Sequence, residues 1–175
     1  MAKAKSQNAI ALLKADHRAV EELFEKYEKS RSKKAEIAQK ICAELIVHTI
    51  IEEEIFYPAC KEAGIEDDML DEAYVEHDGA KMLIAQLREG TPDDEFYDAK
   101  VKVLAEEIKH HVKEEEQRDG IFAAAKAAGM DMDALGEKLA ARKRELMAEI
   151  EEEGLPAPVT RTMNDVDIEL GQRLA

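Results

Sequence analysis

Four stretches of this chain carry apolar residues at steps of three and four, and each stripe has a histidine set into it. The first runs from Gln7 to Lys29 as Ile10, Leu13, His17, Val20, Phe24 and Tyr27. The second, Lys34 to Ala63, reads Ile37, Ile41, Leu45, His48, Glu52 and Ile55, with Pro58 loosening its last turns and Gly64 ending it. The third, Asp67 to Gly90, reads Leu70, Ala73, His77, Ala80, Ile84 and Leu87. Thr91 as N-cap and Pro92 at the first helical position are expected to open a fourth. It continues to about Ala128 through Val101, Leu104, Ile108, His111 and Glu115, with Ile121 and Phe122 near its end. Spacing of this kind places one apolar face on each of four helices.

Four such helices with short connections predict an all-α fold, an antiparallel up-down-up-down four-helix bundle. A fifth helix, Asp133 to Glu153, carries Leu135, Leu139, Leu146 and Ile150 and is expected to pack outside that bundle. The organisation expected is therefore a bundle over 1–130, an accessory helix over 131–153 and an extended tail over 154–175. "GLPAPVTRT" reads as extended and "NDVDIELGQRLA" as weakly helical. The tail or the fifth helix would wrap the bundle or join two copies as a homodimer. A formal net charge of −15 argues against a nucleic-acid partner, and no polybasic segment favours an anionic membrane surface. No apolar run is long enough to span a bilayer, and the first residues lack the pattern of a secretory leader. Cys42 and Cys60 stand alone, as reduced structural thiols do, so the expected location is cytoplasmic.

The polar groups inside the stripes are the chemical signal. His17, His48, His77 and His111 all fall in the core phase of their helices, while His110 is turned about 100° away. Two of the four are followed one turn later by an inward glutamate, as His48-x3-Glu52 and His111-x3-Glu115. A single pair of this kind is ordinarily a satisfied surface contact. A repeated pair with two further histidines in phase is different, because a carboxylate in a bundle core costs several kcal/mol unless a positive charge meets it. Bound cations supply that charge, and imidazole with carboxylate suits iron, manganese or zinc. Glu53, Glu54, Glu114 and Glu116 lie off the stripes and are expected to be solvated or on flanks. Tyr27, Tyr57 and Tyr74 read as core fillers with hydroxyls near the rim. Tyr74, one turn before His77, is the candidate to hydrogen-bond a ligand.

Taken in order, "DHRAVEEL", "HTIIEEEIFYP", "EHDGAKML" and "HHVKEEEQ" give the pattern H…HxxxE…H…HxxxE over about residues 8–127. This resembles the hemerythrin HHE cation-binding family. The resemblance implies a non-haem di-iron centre with two iron ions, Glu52 and Glu115 bridging them. It also implies dioxygen, peroxide or nitric-oxide chemistry, either catalase-like or nitric-oxide-reducing, or iron and oxygen binding and redox sensing without turnover. Two features depart from the family pattern. Lys81 stands where oxygen carriers place a second third-helix histidine, which leaves a position that water or Glu53 would fill. "QRDGIFAAAK" follows Glu115 where many relatives carry an ending like "IFYP".

Overall fold

The computed structural model describes residues 8–163 of the 175, and these are helical throughout their regular parts. Helix α1 spans Ala9–Lys29, with the Asn8 side chain capping it through Ala11 N. Helix α2 spans Lys34–Ile51 and passes through a π-helical segment, Glu52–Phe56, into α3, Tyr57–Glu62. Helix α4 spans Asp67–Glu89, α5 Tyr97–Glu116, α6 Ile121–Ala127 and α7 Met132–Glu153. Helices α1, α2, α4 and α5 form a closed ring, each touching the next and α5 returning to α1. That is the antiparallel bundle expected from the stripes, with their apolar residues divided between two core clusters. Among the described residues no helix is long and apolar enough to cross a membrane.

Three local departures from the sequence reading shape the site. Pro58 has no N–H and its ring collides with the carbonyl of Glu54, so the helix cannot continue with ordinary bonds there. It widens by one residue instead, and Tyr57 N donates to Glu52 O five positions back. The extra residue turns Phe56 and Tyr57 inward beneath Glu52 and leaves Ile55 only half-buried. Thr91 and Pro92 do not open a helix. They form a turn in which the Asp94 carboxylate accepts from Thr91 N at 2.7 Å, and α5 starts at Tyr97. The fourth helix also stops at Glu116 and resumes at Ile121 after a tight turn at Gly120.

The fifth helix packs outside the ring of four, as expected, and adds to its core. Helix α7 lies along α1 and α2, and Leu135, Leu139 and Leu146 join the core cluster that holds Leu13, Val47 and Ile51. Beyond Gly154 the chain runs extended across the bundle, where Arg88 Nε donates to Leu155 O at 2.9 Å. The helix expected over 164–175, and Gln7 at the start of α1, lie outside the described residues. Cys42 and Cys60 are free and buried, and burial pushes their thiols up to about 11 and about 12, so neither is a nucleophile at neutral pH.

Gly120 gives a direct test of the turn that follows Glu115. A methyl built on it would overlap the Glu114 carbonyl oxygen and sit 2.7 Å from that of Glu115, both backbone atoms that cannot swing aside. Gly120→Ala is expected to cost about 1–3 kcal/mol, read as a fall in thermal midpoint by several degrees. An unchanged midpoint would mean the turn relaxes freely.

Candidate metal centre

Helix phase and the π segment bring six chemically active side chains into one layer. His17, His48, His77, His111, Glu52 and Glu115 are all buried, the two glutamates almost completely. His17 comes from α1, His48 from α2, Glu52 from the π segment, His77 from α4, and His111 with Glu115 from α5. The imidazoles meet in pairs: His17 Nε2 lies 3.1 Å from His48 Nε2, and His77 Nε2 lies 3.2 Å from His111 Nε2. The carboxylates connect the pairs. Glu52 Oε2 is 3.3 Å from both His48 and His77, while Glu115 Oε2 is 3.3 Å from His17 and 3.6 Å from His111. The donors thus fall into two overlapping sets, one of His17, His48, Glu52 and Glu115, the other of Glu52, His77 and His111.

These spacings fit cations. Two imidazole nitrogens each about 2.1 Å from one ion, at right angles, lie about 3.0 Å apart. Glu52 Oε1 and Glu115 Oε2 are buried without a hydrogen-bond partner among the described residues, which is costly for carboxylate oxygens in a core. Burial and the charge of Glu115 hold the Glu52 carboxyl well above its ordinary range. Burial works against Glu115 as well, but His111 and His17 beside it bring it down to about 2. Burial takes His48 down to about 4. It opposes charging of His17 and His111 too, yet the neighbouring glutamates raise both. In the metal-free chain the centre therefore stores protons that a cation would displace.

Behind each imidazole stands a second carboxylate. His17 Nδ1 bonds Glu116 at 2.8 Å, His77 Nδ1 bonds Glu53 at 3.0 Å and His111 Nδ1 bonds Glu76 at 2.7 Å; His48 Nδ1 faces Asp16 at 3.5 Å. A proton donated from Nδ1 leaves the Nε2 lone pair facing inward, the state a metal ligand needs. Each acid is the chain neighbour of a ligand on its own helix but serves the histidine of the next helix round the ring. Burial would raise all four acids, but imidazole hydrogen bonds and nearby cations hold them below the ordinary carboxylate range. Glu53 and Glu116, expected to be solvated or flanking, are thus part of the centre. The sequence carried a faint signal for them, since acids flank ligands in "DH", "EH" and the two "EE" pairs.

The hydroxyl at the centre belongs to Tyr57. It donates to Glu115 Oε1 at 2.9 Å, and lies 3.3 Å from His77 Nε2 and 3.4 Å from Glu52 Oε2. Tyr74, the residue expected there, packs edge-on against Tyr57 with ring centroids 5.3 Å apart. The rim position expected for Tyr57 followed from α-helical spacing up to Pro58, and the π segment rotates the side chain in. Lys81 directs its Nζ to Glu53 Oε1 at 2.6 Å and Asp78 Oδ1 at 3.3 Å. His110 is exposed and pairs with Glu76 and Glu114. A groove of about 250 Å³ between α1 and α5, lined by Val20, Ile108 and Val112, reaches His17 from the surface.

Comparison with known proteins bears on the family and the fold. Residues 8–124 match the hemerythrin HHE cation binding domain. The fold is similar to that of a crystal structure of a hemerythrin HHE cation binding domain-containing protein from Mycobacterium kansasii. The two share 24% identity at a TM-score of 0.70, over 84% of this chain and 94% of the other. No curated protein matches the sequence. The chain belongs to the hemerythrin HHE cation-binding family.

Glu52→Ala and Glu115→Ala should each lower the metal content of purified protein sharply, while His110→Ala leaves it unchanged. Retention of full metal by both glutamate variants would contradict the assignment. Because cations displace protons from His17, His111 and Glu52, affinity should fall as pH is lowered through neutrality. Calorimetric heats of metal uptake should accordingly depend on the buffer's ionisation enthalpy.

Proposed function

We propose that this member of the hemerythrin HHE cation-binding family holds two iron ions and acts on a small oxidant: dioxygen, hydrogen peroxide or nitric oxide. The observation that carries the proposal is the placing of the carboxylates. Each glutamate contacts one histidine of each pair, as bridging ligands between two cations do. A single ion would not need both. Manganese or zinc would suit the same donors, and iron is preferred because His with carboxylate ligation in a bundle core favours a redox-active pair. Bound there, iron supplies a reversible change of oxidation state and a place for the oxidant.

The chain's own residues do the rest. The outer carboxylates orient the imidazoles, and Glu52 with Glu115 would offset the charge of the ions in a buried layer. Lys81 turns to Glu53 and Asp78 rather than to the centre, so beyond the two shared glutamates this side has only His77 and His111 to offer. The Tyr57 hydroxyl lies on that side and can donate a hydrogen bond to a small ligand. The groove between α1 and α5, lined by Val20, Ile108 and Val112 together with Glu21, Glu25 and Lys109, offers a small molecule an approach to His17. These features favour an open, reactive centre over reversible carriage, and turnover over passive sensing.

Iron-loaded protein should contain about two irons per chain and consume peroxide or nitric oxide. Tyr57→Phe should retain the iron yet slow consumption about tenfold or more, as removal of a donor aimed at developing charge does. Two irons without turnover of either molecule would move the function to sensing or storage. Full activity in Tyr57→Phe would remove the hydroxyl from the mechanism.

A further inference from the structure

The four outer carboxylates differ in what lies behind them. Glu116 is paired with Arg18, whose side chain is 53% exposed, and Glu76 with His110, 61% exposed. Ion pairs that open to solvent hold little, being screened and mobile. The other two are backed from inside. Glu53 meets Lys81, 6% exposed, and Asp16 meets Lys143 on α7 at 2.6 Å, 25% exposed.

Lys81 is held by a second carboxylate, Asp78, which is wholly buried. The free oxygen of Asp78 is taken up by the extended C-terminal segment. Asp78 Oδ2 accepts from Arg161 N at 2.8 Å, from Thr162 N, from Thr162 Oγ1 at 2.8 Å and from Met163 N at 3.3 Å. An unbroken line of charge-assisted bonds therefore runs from residues 161–163 through Asp78, Lys81 and Glu53 to His77 Nδ1. A second line leaves the same segment. The Arg161 guanidinium sits 4.6 Å over the Tyr74 ring, which packs on Tyr57, whose hydroxyl bonds Glu115. Both lines originate beyond residue 124, where the family match ends.

We infer that the segment following the HHE domain is a positioning element of the metal centre, with Lys143 of α7 steadying His48 through Asp16 and residues 161–163 steadying His77 through Asp78, Lys81 and Glu53. This rests on the metal reading of the six-residue centre. Glu53 Oε1 accepts from His77 and Lys81 at once, so the lysine fixes the rotamer that aims His77 and draws charge from its partner. Loss of the strap strands a buried carboxylate on Asp78 and frees Lys81 to follow it. Coupling of this kind must run both ways: if the docked strap steadies bound metal, bound metal must steady the strap.

The test uses the full-length chain loaded with ferrous iron. Iron release to a chromogenic ferrous chelator is compared in wild type, Lys81→Met, Lys143→Met and Thr162→Pro, with Lys81→Arg as the conservative variant and far-UV circular dichroism as the check on folding. Trypsin cleavage after the exposed Arg161 is followed with and without iron. Release should quicken about tenfold or more in Lys81→Met and Thr162→Pro, as losses behind a metal ligand generally do, and Lys81→Arg should restore most of it. Iron should slow cleavage after Arg161 in wild type but not in Lys81→Met. Release within twofold of wild type in the folded variants, with cleavage indifferent to iron, would reduce the strap to a fastening and overturn the inference. Should Lys81→Met fail to fold, Thr162→Pro at the surface and wild-type cleavage still decide. A wild-type chain that takes up no iron overturns the metal reading itself, and the inference with it.

Discussion

Two buried glutamates facing four imidazoles set the terms for everything else in this molecule. Each carboxylate left uncompensated in a bundle core costs several kcal/mol, and a domain of this size has only about 5–15 kcal/mol of net stability. Glu52 and Glu115 together would consume most of that margin, so the layer has to be neutralised. Protons can do so only by holding Glu52 in its acid form against its ordinary tendency. Cations do so directly, and the imidazole geometry is already set for them. What looks like a flaw in the core is thus its organising feature.

The consequence spreads outward in rings. An imidazole that must present Nε2 inward has to place Nδ1 somewhere; a carboxylate from the adjacent helix bonds it at His17, His77 and His111, and Asp16 faces it at 3.5 Å at His48. Those acids sit on the bundle flanks and need cations in turn. Arg18, Lys81 and Lys143 supply them to Glu116, Glu53 and Asp16, Lys81 from the most deeply buried position, while His110 lies beside Glu76 at the solvent edge. The helices are therefore joined around the ring by polar bonds at the level of the centre and by apolar contacts above and below it. Deviations from ideal helix fall where this layer needs them. The π segment turns Tyr57 in, and the break at Gly120 lets Phe122 stack on His17 at 5.8 Å.

The four helices and their inward histidines were legible because burial at helical spacing leaves a mark at every third or fourth residue. Glu52 and Glu115 were legible for the same reason, sitting one turn from a histidine in phase. Tyr57 was not, since a stripe counted at α-helical spacing fails once a residue is inserted, and Pro58 signals a disturbance without giving its direction. The acids behind the imidazoles were hidden by their own position. Flank residues look solvated until the neighbouring helix is in place, and no periodicity in one helix reports what another brings to it. The start of α5 failed through competition between two local rules, as "TPDD" serves an N-cap and a turn equally well. Helix α7 was legible through Leu135, Leu139 and Leu146 at helical spacing, but nothing in that spacing reported that Lys143 would reach Asp16.

Anomalous diffraction at the iron edge from crystals of iron-loaded protein would show whether two cations sit at Glu52 and Glu115, as proposed. Two peaks per chain are expected, one beside His17 and His48 and one beside His77 and His111, with both glutamates between them. A single peak, or iron found only at the surface group of Glu76, His110 and Glu114, would contradict the proposal.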